Sequence, residues 1–214
     1  MSNNYSQSPE LPIVHIIDDD DAVLDSLSLL FDSVEINAIG YHSGAAFLEA
    51  YQTPDFNLHT GCIVLDIRMP IMSGMDCQKK LNELGCPLPI IFITGHGDVS
   101  LAVEAMKNGA FDFIEKPLRE QTLITAVQAA ITRSIRDDER HQRVKDTTNK
   151  MNSLTEREKQ ILNRVIDGKA NKTIASELHL SERTIEIHRA HVMEKMQAGS
   201  LAQLVRMVLD AANT

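Results

Sequence analysis

Residues 62–70 read Cys62-Ile63-Val64-Leu65-Asp66-Ile67-Arg68-Met69-Pro70. From Cys62 to Ile67 the only polar side chain is Asp66. A strand with one wet face alternates polar and apolar residues, and this run does not. It reads as a strand buried on both faces, at the centre of a parallel sheet. The aspartate stands where that strand leaves the sheet. In open α/β sheets, ligands bind outside the carboxyl ends of the strands, where the strand order reverses.

Working outward, short apolar runs alternate with helical patterns. Pro12 to Ile17 is a first strand, and residues 21–34 carry Val23, Leu27, Leu30 and Val34 at helical spacing. Ile36 to Tyr41 is a second strand, followed by a helix that Ser43 can cap, with Phe47, Leu48 and Tyr51 on one face. After the 62–67 strand come a helix over residues 75–84, a strand from Pro89 to Thr94 and a helix from Val99 to Lys107, stopped by Asn108-Gly109. Phe111 to Ile114 is a fifth strand, and a helix starts near Glu120. Five β–α units in series predict a doubly wound, flavodoxin-like parallel sheet of order 2-1-3-4-5, with helices on both faces.

Leu123, Ile124, Val127, Ile131 and Ile135 continue the helical spacing, but Asp137 to Lys150 is mostly charged or polar and holds no Gly or Pro. One long helix leaving the domain as a linker is the expectation. Residues 151–214 show no strand pattern and read as four helices. Thr155 to Glu158 matches a capping box, and Ser200 with Gln203 matches a second. Two short helices joined at His179-Leu180-Ser181 suit a helix-turn-helix. The expected divisions are a polar tail over 1–11, an α/β domain over 12–131, a helical linker over 132–151 and an all-α domain over 152–214.

Composition narrows the function. The chain of 214 residues has no Trp, and its three Tyr and six Phe are too few for an RNA-stacking sheet. No apolar run approaches the roughly 18 residues of a membrane span, and Met1 to Pro12 lacks the basic-then-apolar pattern of a signal peptide. Cys62, Cys77 and Cys86 are an odd number without CxxC spacing, which suits buried thiols in a reducing compartment rather than a disulfide framework or zinc site.

The polar residues at the strand ends form a pattern. Asp18, Asp19, Asp20 and Asp21 follow the first strand, Asp66 ends the third, Thr94 ends the fourth and Lys116 follows the fifth. In the 2-1-3-4-5 order the first and third strands are neighbours, so Asp18, Asp19 and Asp66 converge. Converging carboxylates repel, so a cation is needed or one group must be protonated. All-oxygen ligands in an exposed cleft favour Mg²⁺. With Mg²⁺ and Lys116 neutralising its charge, a phosphoryl group can be attacked by the Asp66 carboxylate to form an acyl phosphate, with Thr94 bonding a phosphoryl oxygen. Taken singly, Asp20 or Asp21 can be a plain helix cap and Thr94 a plain turn residue.

These motifs resemble a family. Asp66-Ile67-Arg68-Met69-Pro70 with Ser73-Gly74 resembles the phosphoacceptor loop of bacterial response-regulator receiver domains, and Ile17-Asp18-Asp19 resembles their acidic pair. Thr94-Gly95-His96-Gly97 and Lys116-Pro117 resemble their threonine and lysine motifs, over about residues 11–131. The resemblance implies that Asp66 accepts phosphate from a sensor histidine kinase. It implies that Asp19, Asp66 and the main-chain carbonyl of Arg68 ligate Mg²⁺, with Asp18 acting directly or through water. It also implies a cis Lys116-Pro117 peptide and a switch role for Thr94 and Phe113, although an ordinary core Phe suits Phe113 equally. His96 has no second histidine at metal-binding spacing.

The C-terminal motifs resemble a second family. Leu154-Thr155-Glu156-Arg157-Glu158, Asn171-Lys172-Thr173-Ile174-Ala175 and Ser181 to Arg189 are similar to LuxR/GerE-type DNA-binding domains, over about residues 152–212. Together the halves are similar to the FixJ-like subfamily of response regulators. A recognition helix in the major groove would face its exposed residues to bases and phosphates. Ile185, Val192 and Met196 should face the core. Glu186, Ile187 and Ala190 fall on the open side, and Lys172, Arg183, Thr184, Arg189 and Lys195 complete the candidate contacts with double-stranded promoter DNA. Glu186 suits a cytosine amino group and Ile187 a thymine methyl. The last helix, with Leu204, Val205, Val208 and Leu209, covers the small core or in part pairs two domains on DNA.

The resemblances together imply a cytoplasmic, phosphorylation-dependent transcriptional regulator, with activation and contact with RNA polymerase as subfamily expectations. Phosphorylation would shift the receiver to a homodimeric, DNA-binding state. A small-molecule phosphatase with an aspartyl-phosphate intermediate would need a second Asp two residues after the nucleophile, and that position is Arg68. A phosphorylation-independent interaction module has no need of the Asp and Lys set.

The net charge of −9 at first argues against DNA. It is unevenly spread: residues 1–120 carry 18 acidic and 6 basic side chains, a net −12, residues 121–150 a net +2 and residues 151–214 a net +1. The acid excess belongs to the α/β half, and weak positive charge in the all-α half makes useful DNA binding depend on pairing two copies.

Overall fold

The computed structural model describes residues 11–53, 56, 60–95 and 99–212. The chain divides into two compact units, Met1–Asp138 and Glu139–Thr214.

In the first unit, β1 (Ile13–Ile17), β2 (Asn37–Tyr41), β3 (Gly61–Asp66), β4 (Ile90–Thr94) and β5 (Asp112–Glu115) alternate with α1 (Asp21–Ser33), α2 (Gly44–Tyr51), α3 (Gly74–Glu83) and α4 (Val99–Lys107). The sheet is parallel with order β2-β1-β3-β4-β5. Every residue of β3 is buried, as its composition requires of a central strand. Alternate side chains feed two cores. Val14, Ile16, Cys62, Val64, Ile91 and Ile93 pack on one face with α1 and the next helix, α5 (Glu120–Asn152). Ile17, Ile63, Leu65, Ile90 and Phe92 pack on the other face with residues of α2, α3 and α4.

Two helices choose different faces from those expected. On α1 the buried stripe is Leu24, Leu27 and Phe31, whereas Val23 and Leu30 flank it and Val34 lies past the helix end. Both stripes share Leu27 and have helical spacing, so the sheet decides between them. On the part of α5 within the first unit the buried residues are Leu123, Ala126, Val127, Ala130 and Ser134, while Ile135 is exposed. Small residues allow close approach to the sheet: Ser134 Oγ accepts the Gly61 N–H at 3.1 Å. Gly61 itself has φ 150°, and a Cβ there would lie 1.9 Å from the Ile13 carbonyl oxygen.

Helix starts follow local chemistry. Asp20 caps α1 by accepting from Ala22 N, Ser43 caps α2 and Ser73 caps α3. Asp21 is inside α1 and pairs with exposed His42 at 3.0 Å. The helix α5 runs unbroken through the expected linker, and the division between the units falls inside it.

The second unit holds the rest of α5 with α6 (Glu156–Ile166), α7 (Asn171–Leu178), α8 (Glu182–Lys195) and α9 (Leu201–Ala212). They enclose one core that includes Ile161, Leu162, Ile174, Ile185, Val192 and Leu204. His179 adopts the left-handed conformation at φ 53° and ends α7. The Thr155–Glu158 capping box is complete. The second expected box is half formed: Gln203 N–H donates to Ser200 Oγ, but Gln203 Oε1 accepts from Gly199 N–H. Among the described residues no helix is long and apolar enough to cross a membrane.

Candidate functional site

The sheet register brings the strand-end residues level. Ile17 pairs with Leu65, Asp66 with Ile93 and Thr94 with Glu115. Asp18, Asp66, Thr94 and Lys116 therefore arrive at one edge of the sheet. Asp18, Asp66 and Thr94 are buried, at 1%, 4% and 1% exposure. Lys116 Nζ donates to Asp18 Oδ2 and to Asp66 Oδ1, both at 2.8 Å.

Backbone groups hold the remaining carboxylate oxygens. Asp18 Oδ1 accepts from Asp20 N–H at 3.0 Å, and Asp66 Oδ2 accepts from Arg68 N–H at 2.6 Å. Lys116 N–H donates to the Thr94 carbonyl at 2.7 Å, which ties the end of β5 to β4. Burial works against the Lys116 charge, but the hydrogen bonds and charges of Asp18 and Asp66 outweigh it and raise its pKa above the ordinary lysine value. The Lys116-Pro117 peptide is cis.

Beyond Asp66 the chain turns tightly. Gly74 N–H donates to the Ile67 carbonyl at 2.9 Å. A Cβ on Gly74 would lie 2.2 Å from the Asp66 carbonyl oxygen, so a glycine is required behind the carboxylate. Between them Ile71 is fully exposed with φ 68°, an unusual backbone for a β-branched residue.

Asp19 is exposed beside Asp18. Phe113, on β5, is half-buried and packs against the core on the α2–α4 side of the sheet. His96 and Gly97 lie outside the described residues. Asp18 and Asp66 share the Lys116 ammonium, and buried carboxylate oxygens of net negative charge fit a hard dication such as Mg²⁺. The expected closure of Asp19 onto this pair is not made, since the three carboxylates do not gather within 4.8 Å of one another. The geometry offers a carboxylate nucleophile, a cation beside it and a hydroxyl at the next strand end.

The three thiols play no part in this arrangement. Cys62, Cys77 and Cys86 are free, and burial pushes Cys62 up to about 12 and Cys77 up to about 11.

On the second unit, the α7-turn-α8 segment presents Lys172, Arg183, Glu186, Ile187 and Ala190 to solvent. Ile187 is 49% exposed, unusual for an isoleucine on a helix that also carries core residues. Three other candidates are engaged within the fold. The Thr184 hydroxyl lies 2.7 Å from Ser181 Oγ, and Arg189 Nη1 donates to Asn171 Oδ1 at 2.7 Å. Lys195 Nζ donates to Glu158 Oε2 at 2.7 Å, and this bond drives Glu158 down to about 2 against the opposing effect of burial. The Lys195 ammonium thus ties α8 to the start of α6.

Two features were not anticipated from the sequence. His15 is buried on β1 among Tyr41, Phe47 and Phe56, with ring centroids 5.2–5.8 Å away. His188 and His191 stand beside Glu158. The histidines at i and i+3 on a helix were a readable signal for the second.

A parallel five-stranded sheet with this carboxylate–lysine cluster, followed by a helix-turn-helix unit, defines a response regulator. Residues 14–128 match the response regulator receiver domain, and residues 152–208 match the bacterial regulatory proteins of the luxR family. The chain belongs to the response-regulator family and joins a receiver to a luxR-type DNA-binding domain.

It is similar to the transcriptional regulatory protein FixJ of Azorhizobium caulinodans, 47% identical over 95% of this chain and 94% of that protein. It is also similar to the response regulator protein TodT of Pseudomonas putida, 42% identical over 94% of this chain and 86% of that protein. Among solved structures, the response regulator StyR superposes with a TM-score of 0.81 at 37% identity, covering 93% of this chain and 98% of that one. Full-length FixJ from B. japonicum gives 0.58 at 41% identity, covering 95% and 98%. The chain is accordingly a phosphorylation-dependent transcriptional regulator, and its two domains imply a kinase and DNA as partners.

Proposed function

We propose that Asp66 is the phosphoacceptor and that its phosphorylation controls a transcriptional activator acting in the cytoplasm. The observation that carries this reading is the Lys116 ammonium held 2.8 Å from both Asp66 and Asp18. An Asp66 carboxylate oxygen bonds to phosphorus as the phosphorus–nitrogen bond of a sensor kinase's phosphohistidine breaks, and the released imidazole nitrogen takes a proton from water. Lys116 moves from the carboxylate to a phosphoryl oxygen, and the Thr94 hydroxyl donates to another. Asp19, Asp66 and the Arg68 carbonyl, with Asp18 directly or through water, would hold Mg²⁺, which neutralises charge on the phosphoryl group.

Thr94 and Phe113 act as the switch pair, changing the receiver surface so that two copies associate. The dimer then presents two α8 helices to promoter DNA. Lys172, Arg183, Thr184, Arg189 and Lys195 serve phosphates or base edges, and Glu186, Ile187 and Ala190 face base edges. Contact with RNA polymerase follows from promoter occupancy. The weak positive charge of residues 151–214 supports this dependence on pairing, since one domain gains little from phosphates alone.

The test is incubation with Mg²⁺ and acetyl phosphate followed by intact mass spectrometry. One acid-labile phosphoryl group is expected on the wild type and none on Asp66→Asn. Equal labelling of both would overturn the assignment. A gel-shift series with promoter fragments should then show tighter binding by the phosphorylated chain, in a dimer-sized complex.

A further inference from the structure

We propose that Glu158, His188 and His191 bind a single transition-metal dication of the Zn²⁺ class, linking α6 to α8 within the DNA-binding unit. The site is separate from the carboxylate cluster of the receiver and different in chemistry. One donor atom from each of the three residues lies within 4.8 Å of the others. Donors around a tetrahedral zinc-class ion, at about 2.0–2.2 Å from the metal, sit about 3.3 Å apart. The three groups therefore need to close by at most about 1.5 Å, which two imidazole rings on one helix can supply by rotation.

The residue types point to the metal class. Imidazole nitrogens select zinc, copper, nickel and cobalt over Mg²⁺ or Ca²⁺. Two histidines and one carboxylate leave a position for water, as in open zinc sites.

The carboxylate is already fixed in place. Both of its hydrogen bonds, from Thr155 N–H at 2.8 Å and from Lys195 at 2.7 Å, use Oε2. That leaves Oε1 for the ion. The Lys195 charge opposes a second cation at the same carboxylate, but it is bound on the other oxygen and is 38% exposed, so solvent screens it.

His188 gives an independent indication. Its Nδ1 is buried and has no hydrogen-bond partner among the described residues. A buried polar atom left without a partner costs about 1–3 kcal/mol. Metal ligation at one ring nitrogen fixes the imidazole tautomer and the roles of both nitrogens. His191 is exposed and gives the ion a path from solvent. Because α8 is the helix proposed to enter DNA, the ion would fix its position against α6.

The experiment is calorimetric titration of ZnCl2 into the full chain with excess MgCl2 present, on wild type, His191→Ala and His42→Ala. Both substituted residues are exposed, so neither change threatens the fold. Wild type and His42→Ala should bind one ion with the same affinity, and His191→Ala should lose about tenfold or more. In spectra of ¹³C-histidine-labelled protein, Zn²⁺ should shift the ring signals of His188 and His191. No binding, equal affinity in His191→Ala and wild type, or unshifted His188 and His191 signals would each overturn the proposal.

Discussion

Lys116 Nζ lies 2.8 Å from Asp66 Oδ1, fifty residues away in sequence, and the same ammonium is 2.8 Å from Asp18 Oδ2. A single cation thus holds together two buried carboxylates that would otherwise repel. Its removal should act on both chemistry and stability. Lys116→Ala should slow phosphoryl uptake from acetyl phosphate by about 100-fold, the usual loss when one charge-stabilising donor is deleted. In Mg²⁺-free buffer it should also destabilise the receiver by about 2 kcal/mol, because the two carboxylates are left facing each other. Added MgCl2 should recover most of that stability but not the rate. Stopped-flow or mass-spectrometric uptake and urea unfolding with and without Mg²⁺ are the measurements.

Gly74 guards the back of Asp66. A methyl group there meets the Asp66 carbonyl oxygen at 2.2 Å, and backbone cannot swing aside as a side chain can. Gly74→Ala should cost about 1–3 kcal/mol of stability and reduce phosphorylation as well, because the shift falls on the peptide of Asp66, the proposed phosphoacceptor. A urea midpoint unchanged from wild type would contradict this packing argument.

Ile71 is fully exposed in a left-handed conformation. That backbone costs an L residue about 1–2 kcal/mol, while glycine's extra freedom in the unfolded chain takes back about 0.5–1 kcal/mol. Ile71→Gly should therefore raise stability by about 0.5–1 kcal/mol. Scanning calorimetry checks the direction, which is opposite to that of Gly74→Ala three residues on.

His15 supplies an acid-sensitive element. Burial among aromatic rings lowers its pKa from 6.5 to about 4, so the folded state holds it neutral. Below pH 6.5 the unfolded chain gains a proton that the folded chain refuses. Stability is lost as pH falls through the window from 6.5 to about 4. The loss is bounded at about 3 kcal/mol by the size of the shift. His15→Phe should flatten the stability–pH curve of the receiver in that window and leave it unchanged near pH 8.

Glu158 titrates lower. Its pKa falls from 4.5 to about 2, chiefly through the Lys195 hydrogen bond, so its stabilisation is complete above pH 4.5 and is lost as pH falls toward 2. Glu158→Gln should cost the DNA-binding unit on the order of 2 kcal/mol at neutral pH, less than the whole shift implies because Lys195 is 38% exposed. The variant's stability should also vary less between pH 4.5 and 2. Circular dichroism melts across that range test both statements.

Much of the molecule could be read in one dimension. The apolar run before Asp66 announced a central strand, Asn108-Gly109 marked a helix end, and Ser43 and Thr155 marked helix starts. Each rests on contacts within a few residues, where chain geometry leaves few choices. The convergence of Asp18, Asp66, Thr94 and Lys116 was legible too, because a parallel sheet with right-handed crossovers brings the carboxyl ends of its strands to one edge.

Features that depend on which of two acceptable surfaces meets a neighbour were not legible. Leu27 belongs to two helical stripes on α1, and only the sheet selects the one with Leu24 and Phe31. Lys195 is bonded to Glu158, 37 residues away, a pairing that no local pattern announces. Ser134 on α5 meets Gly61, 73 residues away, and only that approach makes a small residue preferable to the isoleucine beside it. Periodicity and capping are local and were settled by residue order alone. Pairing of charges and choice of buried face were settled by packing, because a side chain's partner is the group that the folded backbone carries to within a few ångströms of it.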